Sequence, residues 1–384
     1  MTHPRAFVAM ALAMFLFVMP SLTAAEHAVE EQARAAYAQA IKDYDIPGLV
    51  VGVTRHGKHA FYATGWASRA DLRPVTPDTL FELGSISKIF NVTLAALAEQ
   101  KGQLSLDAPA ADFLCHRPCS LGNDLTLMDL ATHYSGGLPL QVPEDVDSTE
   151  ALVRWLDAWT PPAPGTRSYS NVSIGLLGHI AAGAMGMSYT QAVQGVLLPQ
   201  LGLNSTWVEV PEADMSRYAF GYERKTDKPI RVTPGVLAAE AYGVKSTARD
   251  MLLFLDSVLE RRNTTPDVNA AIRRTLQGQL RTAKFTQAMI WEQYPWPANL
   301  ETMTSANGYD FILTPQPATR IRPALAPQDA VILNKTGSTN GFGGYVAVLP
   351  SQGLGIVMLA NRNFPNEARI AATYTLINAI LQND

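Results

Sequence analysis

The chain runs to 384 residues, 47% of them hydrophobic and 17% charged, the composition of a globular protein with a sizeable core. Its 30 Lys and Arg against 34 Asp and Glu give a net charge of −4. No basic run breaks the sequence, so the electrostatic footprint of a nucleic-acid binder is excluded.

The first 25 residues read as a secretory leader. His3 and Arg5 precede an apolar run over residues 6–19, and Thr23-Ala24-Ala25 offers small residues for cleavage. Cleavage is expected after Ala25, with Ala24 as the alternative, leaving 29 basic against 34 acidic side chains and a net charge of −5. No other segment is long and apolar enough to span a bilayer. The mature chain is therefore expected as a soluble protein of an exported compartment, the periplasm, with no stable membrane insertion.

Residues 26–45 carry Val29, Ala33, Ala36 and Ala40 at helical spacing, and Ile46-Pro47-Gly48 ends that helix. Residues 49–54 and 59–64 flank His56-Gly57 as a β-hairpin. His56 and His59 read as exposed polar residues of that turn rather than as a metal pair. From Ser85 to about Leu201 the periodicity is mostly helical, with helices over 89–100, 125–131 and 173–185. Glycine and proline clusters at 135–139 and 161–165 punctuate them. Residues 208–240 read as a long loop with short strands, 247–261 as helix, and 262–330 in no clear order. Strands return over 344–349 and 354–360, around a turn at 350–353. A last helix over 367–381 shows an apolar face at Ile370, Tyr374, Ile377 and Leu381.

Strands near both ends with a helical middle predict an α/β (α+β) fold. One antiparallel sheet would be built from both termini and flanked by helices, with a mainly helical lobe inserted and an active site in the cleft between them. There is no internal repeat and no separating linker. The reading is a single catalytic domain over 26–384, its sheet part at about 26–80 and 225–384 and its helical lobe at about 81–224. Cys115 and Cys119 flank His116 on what would be one turn. Their spacing suits a disulfide in an exported protein, or unpaired thiols. Two cysteines and one histidine on a single turn cannot surround a metal ion.

The chemistry starts at Phe81-Glu82-Leu83-Gly84-Ser85-Ile86-Ser87-Lys88. Ser85 and Lys88 lie three apart, so on a helix their side chains meet, and an amine beside a serine hydroxyl activates a weak nucleophile. If Ser85 opens the helix, its N–H is also an unpaired donor at the positive dipole end. Ser-x-x-Lys alone arises about once by chance in a chain of this length. Two further short motifs change its weight. Tyr169-Ser170-Asn171 sits in a turn before a helix, and Lys335-Thr336-Gly337 lies on a segment entering the last strands. Each alone has a dull explanation, as a turn or a polar strand end; their joint order does not.

In these motifs the sequence resembles the class C β-lactamases, the serine cephalosporinases of the penicillin-recognising family. The resemblance extends through Gly136-Gly137-Leu138-Pro139-Leu140-Gln141, Ala239-Glu240-Ala241-Tyr242-Gly243-Val244, Lys335-Thr336-Gly337-Ser338-Thr339 and 355–361, nearly all of the mature chain. The class A Ser-Asp-Asn triplet, the α/β-hydrolase Gly-x-Ser-x-Gly elbow and a zinc-binding His-x-His-x-Asp run are all missing.

The resemblance implies roles residue by residue. Ser85 would attack the lactam carbonyl, with Lys88 and the Tyr169 phenol handling its proton, either of them as the acylation base. The backbone N–H groups of Ser85 and Ser338 would hold the oxyanion. Gln141 and Asn171 would hold the substrate's side-chain amide, and Tyr242 would wall that pocket. Lys335, Thr336, Gly337, Ser338, Asn366 and Arg369 would face the substrate, the cationic and hydroxyl groups meeting its carboxylate. For Arg369 a plain helix-face position is the alternative. Neither a cofactor nor a metal is implied, the partner is a small β-lactam, and a monomer is the plainer expectation. Asn334 and Asn340 depart from the usual pattern on either side of the Lys335 motif, where they would alter substrate preference without removing a needed group. The nearest rival is a D-Ala-D-Ala carboxypeptidase or esterase of the same fold. A silent binding module would require a lost nucleophile or lysine, and none of Ser85, Lys88, Tyr169 or Lys335 is missing.

Overall fold

The computed structural model describes residues 23–114 and 125–382. Residues 1–22, most of the expected leader 1–25, and the Cys115–Cys119 pair lie outside the described residues. The N-terminal helix, α1, spans Ala24–Asp43 and opens on a capping box between Thr23 and Glu26. It begins and ends two residues earlier than its periodicity suggests. The predicted hairpin follows as β1 (Gly48–Arg55) and β2 (Lys58–Ser68). His56 and Gly57 both take positive φ, +51° and +81°, the demand of a two-residue turn whose twist matches its strands. His56 is exposed, but His59 is not a free surface residue. Its Nε2 lies 2.6 Å from Oδ2 of buried Asp256, which also takes the Thr54 hydroxyl, tying the hairpin to a helix behind it.

Among the described residues β1 pairs with β2 on one side and, on the other, with β5 (Leu354–Ala360), three hundred residues on. Next come β4 (Gly343–Leu349) and then β3 (Val331–Ser338), all antiparallel. This is the expected sheet assembled from both ends of the chain, ten strands wide among the described residues. The stretch 262–330, unordered in sequence, supplies a helix at Pro266–Thr275 and the short strands Gly278–Arg281, Thr286–Gln287, Glu292–Pro295 and Thr319–Leu325 at the far edge.

Alternation along the strands splits the core in two. Leu49, Val51, Val53, Tyr345, Ile356 and Met358 face α1 and the C-terminal helix α5 (Asn366–Gln382), meeting Tyr37, Ile370, Leu376 and Ile377. Val50, Val346, Val348, Val357 and Leu359 face the other way, toward the helices of the middle of the chain. Both faces are covered, which is why the strands read as unbroken apolar runs. Each buried Leu, Ile or Val contributes about 1.5–3 kcal/mol.

The helix that positions the site is α2 (Lys88–Gln100), buried from Lys88 to Ala98 on every side. It packs against Pro266–Thr275 and α3 (Asn171–Ala184). Asn91 Nδ2 donates to Ile174 O and Glu240 O, both at 2.9 Å, fastening α2 to α3 and to the segment Ala238–Tyr242. A further helix, α4 (Ala248–Val258), lies so close to β1 that a Cβ on Gly52 would stand 3.1 Å from Leu252 Cγ. No described helix is long and apolar enough to cross a membrane.

Candidate active site

Ser85 does not open the α-helix directly. It sits in a 3₁₀ turn, Gly84–Ser87, with Lys88 as the first α-helical residue. In that tighter winding residues three apart eclipse one another, so the pair still meets. Lys88 Nζ donates to Ser85 Oγ at 2.8 Å and to Ala241 O at 2.8 Å. Two glycines set the turn hard against the end of β3. Gly84 has φ +52°, and a Cβ there would lie 2.4 Å from Ser338 N. A Cβ on Gly337 would lie 2.1 Å from Leu83 O. Ser87, the other serine of the motif, faces away and accepts the Val244 N–H at 3.0 Å.

Tyr169 comes from the segment entering α3, whose N-cap Ser170 accepts the Ser173 N–H at 2.9 Å and donates to Pro139 O at 2.6 Å. Its hydroxyl hydrogen-bonds with Ser85 and Lys88. Lys88 Nζ and Lys335 Nζ each lie 5.3 Å from its ring centroid, and Arg167 Cζ lies 5.8 Å away. Burial raises the phenol's pKa, but Lys335, Lys88 and the hydrogen bonds from Ser85 and Lys88 outweigh it and bring it down to about 7. Burial lowers the Lys88 ammonium; Tyr169 opposes that and Lys335 adds to it, leaving about 8. Both groups titrate close to neutrality beside one hydroxyl.

Two residues of this cluster carried no sequence signal. His133 packs against Tyr169 with ring centroids 4.5 Å apart and the rings tilted by 49°, and its Nδ1 accepts the Ser170 N–H at 3.3 Å. Burial, with Arg167, Lys88 and Lys335 around it, holds its pKa well below the usual range, so it packs as a neutral ring. Buried Arg167 donates to Gln287 Oε1 at 2.7 Å and pairs with Glu292 at 3.4 Å. An Arg two residues before the tyrosine and a His in a left-handed helix end (φ +59°) say nothing locally about either role.

A cleft of about 500 Å³ opens over Ser85, lined by Gln141, Asn171, Tyr242, Ser338 and Asn340 among others. A smaller hollow of about 250 Å³ adjoins it, sharing Gln141, Asn171 and Tyr242. Asn171 Oδ1 is buried and has no hydrogen-bond partner among the described residues. Lys335 and Thr336 are nearly covered: Lys335 Nζ donates to Thr336 O at 2.7 Å, and Thr336 Oγ1 lies 3.5 Å from Asn307 Oδ1. Of the two departures, Asn340 lines the cleft while Asn334 is buried beneath it, donating to Glu292 O at 3.4 Å.

The structure gathers Ser85, Lys88, Tyr169 and Lys335 as the motifs suggest, and brings Gln141, Asn171, Tyr242 and Ser338 to the same cleft. It does not bring Arg369 there. That guanidinium is wholly covered and donates to Gly337 O at 2.8 Å, Ser338 Oγ at 3.0 Å, Asn363 Oδ1 at 2.7 Å and Phe364 O. It braces β3 from behind, because α5 packs on the side of the strand away from the opening. Asn366 is likewise buried, donating to Asn307 O at 3.0 Å. Among the described residues no group of three His, Cys, Asp or Glu could hold a metal ion.

Comparison with known proteins agrees with this geometry. The β-lactamase family model matches residues 32–380. A β-lactamase of Pseudomonas fluorescens is 40% identical over 344 residues, covering 89% of this chain and 96% of that protein. A solved class C β-lactamase from Rhodobacter sphaeroides is 63% identical with a TM-score of 0.89, covering 91% of this chain and 99% of its own. A structure named as a β-lactamase/D-alanine carboxypeptidase, from Pseudomonas syringae, is 44% identical with a TM-score of 0.88 over the same shares. Family match, identity over nearly the whole length and a shared fold agree: the chain belongs to the β-lactamase family, as a class C hydrolase.

Proposed function

We propose that the protein is an exported, monomeric serine β-lactamase of the periplasm, a single catalytic domain that hydrolyses cephalosporins and penicillins through an acyl-enzyme on Ser85 and so confers β-lactam resistance. The observation that carries the reading is the gathering of two ammonium groups and a phenol at one serine: Lys88 Nζ lies 2.8 Å from Ser85 Oγ, and Lys88 Nζ and Lys335 Nζ each lie 5.3 Å from the Tyr169 ring centroid, charges that lower the phenol's pKa to about 7. A base is most effective when its pKa lies near the working pH.

In the acylation step the Tyr169 phenolate takes the Ser85 proton while Oγ adds to the lactam carbonyl. The oxyanion rests between the N–H groups of Ser85 and Ser338, which the two glycines allow to approach; one such donor is worth about a hundred- to a thousandfold in kcat. The carbonyl re-forms, the C–N bond breaks, and the Tyr169 hydroxyl returns its proton to the ring nitrogen. Water then adds to the ester, giving a proton to the phenolate, which passes it on to Oγ as Ser85 leaves. Lys88 stays protonated beside Oγ, and Lys335 with Thr336 faces the substrate carboxylate. The unpartnered Asn171 Oδ1 accepts the side-chain amide N–H, with Gln141 beside it and Tyr242 as the wall.

The test pairs intact-mass spectrometry after mixing with a cephalosporin and a nitrocefin turnover assay. Ser85→Ala is expected to lose adduct and turnover while keeping the fold; hydrolysis surviving in that variant would remove Ser85 as the nucleophile. A second reading, a D-alanine carboxypeptidase, is favoured by the Pseudomonas syringae relative's name. It predicts a long-lived acyl-enzyme with little nitrocefin turnover.

A further inference from the structure

Apart from Lys88 and Lys335, buried at the serine, Arg231 is the one residue lining the cleft that carries a formal charge, among the described residues. It is held as few surface arginines are. Its guanidinium lies between the Tyr218 ring at 4.0 Å and the Phe220 ring at 4.2 Å. Nε donates to Ala219 O at 3.2 Å and Nη2 to Tyr218 O at 2.7 Å. Nη1 has no protein acceptor among the described residues, and no carboxylate there forms an ion pair with the side chain. Arg73 reaches the same Tyr218 carbonyl, at 2.9 Å, and adds its positive charge. The nearby carboxylate, Glu82, is buried and engaged with the Tyr218 hydroxyl and the Val232 N–H, both at 2.7 Å. It stands opposite Lys245 in the strand ladder, and that lysine also feels it.

The neighbouring wall is rigid as well. A Cβ on Gly341 would stand 2.6 Å from Ile230 Cγ2, so the segment bearing Arg231 abuts the turn that follows Ser338. Gln141, Asn171 and Tyr242 line the same cleft. An acyl side chain whose amide is held by Asn171 has Arg231 in the same cleft, away from the two lysines at the serine, while Glu144 lines the adjoining hollow. A guanidinium already immobilised by stacking and two carbonyls loses little freedom when it pairs with an anion.

We propose that Arg231 is a substrate-binding residue that selects β-lactams whose acyl side chain ends in a carboxylate. The inference rests on the β-lactam reading of the cleft and adds a substrate class to it.

The test compares a cephalosporin carrying a glutaryl side chain with its terminal methyl ester, which removes that charge and adds one methyl group. Acylation of the whole enzyme is followed by intact mass as well as by kcat/KM, so slow deacylation does not hide the result. The wild-type enzyme is expected to prefer the acid over the ester by about three- to tenfold at low salt, a preference that shrinks as salt is raised. Arg231→Gln should bring the ratio to about one, and Arg231→Lys should restore part of it. A clamp that merely holds the loop would slow both substrates alike and leave the ratio where it was. No preference in the wild-type enzyme, or an unchanged ratio in Arg231→Gln, would overturn the proposal while nitrocefin turnover leaves the hydrolase reading standing. Failure of glutaryl cephalosporin, ester and nitrocefin alike to acylate Ser85 would overturn both.

Discussion

Replacing Gly337 by Ala tests whether the close approach of the serine turn to β3 sets the reaction geometry. The added carbon would stand 2.1 Å from Leu83 O, 2.8 Å from Ile86 N and 2.9 Å from Ile86 Cγ1. Two of those three atoms are backbone, so no change of rotamer relieves the clash. Ordinary carbon contacts sit at about 3.5–4.0 Å, so the strand or the turn must yield by roughly 1 Å. That movement separates the N–H groups of Ser85 and Ser338. A misplacement of about 1 Å costs about a hundredfold, and losing one oxyanion donor about a hundred- to a thousandfold. Over-packing at one site costs only about 1–3 kcal/mol of stability. The expected outcome is a folded enzyme whose kcat falls about a hundred- to a thousandfold. Steady-state kinetics with nitrocefin, read beside a thermal melt, measure both. A folded Gly337→Ala enzyme within about threefold of wild type would refute the reasoning, since the contact would then not govern the site.

The pH profile of kcat/KM is expected to rise as Tyr169 loses its proton at about 7 and to fall as Lys88 loses its own at about 8. Lys335 lowers both groups, so Lys335→Met should move both limbs to higher pH; limbs that stay in place would detach Lys335 from this electrostatic role. Gly183 lies exposed near the end of α3 with open space where a Cβ would go. Gly183→Ala should stabilise the protein by about 0.5–1 kcal/mol with kcat unchanged, read by chemical denaturation and nitrocefin turnover; a loss of stability would contradict it.

What could be read from the residues was what short-range geometry decides. Ser85 and Lys88 meet because they are three apart, in a 3₁₀ turn as in an α-helix. The hairpin showed itself through His56-Gly57, and the strands of β4 and β5 through apolar runs that are buried on both faces. The far edge of the sheet was illegible because Thr286–Gln287 and Gly278–Arg281 are too short to have a period and exist through their partners. Arg369 misled for a related reason. Its place in the sequence puts it beside β3 but cannot tell the cleft side of a strand from the packed side, and α5 lies on the packed one. His133 and Arg167 matter through Ser170 and Gln287, 37 and 120 residues away, and Arg231 through rings and carbonyls that no motif records.

The pairing of β1 with β5 has a consequence in time. A ribosome that has released the first fifty residues has made half of a ladder whose other half is still three hundred codons away. The nucleophile's turn leans on β3, so every chain halted before that strand emerges holds a serine with nothing to receive the charge it would create. Folding must therefore wait on the last contacts to be synthesised, and long-range closure of this kind is slow. The enzyme switches on once, late and whole.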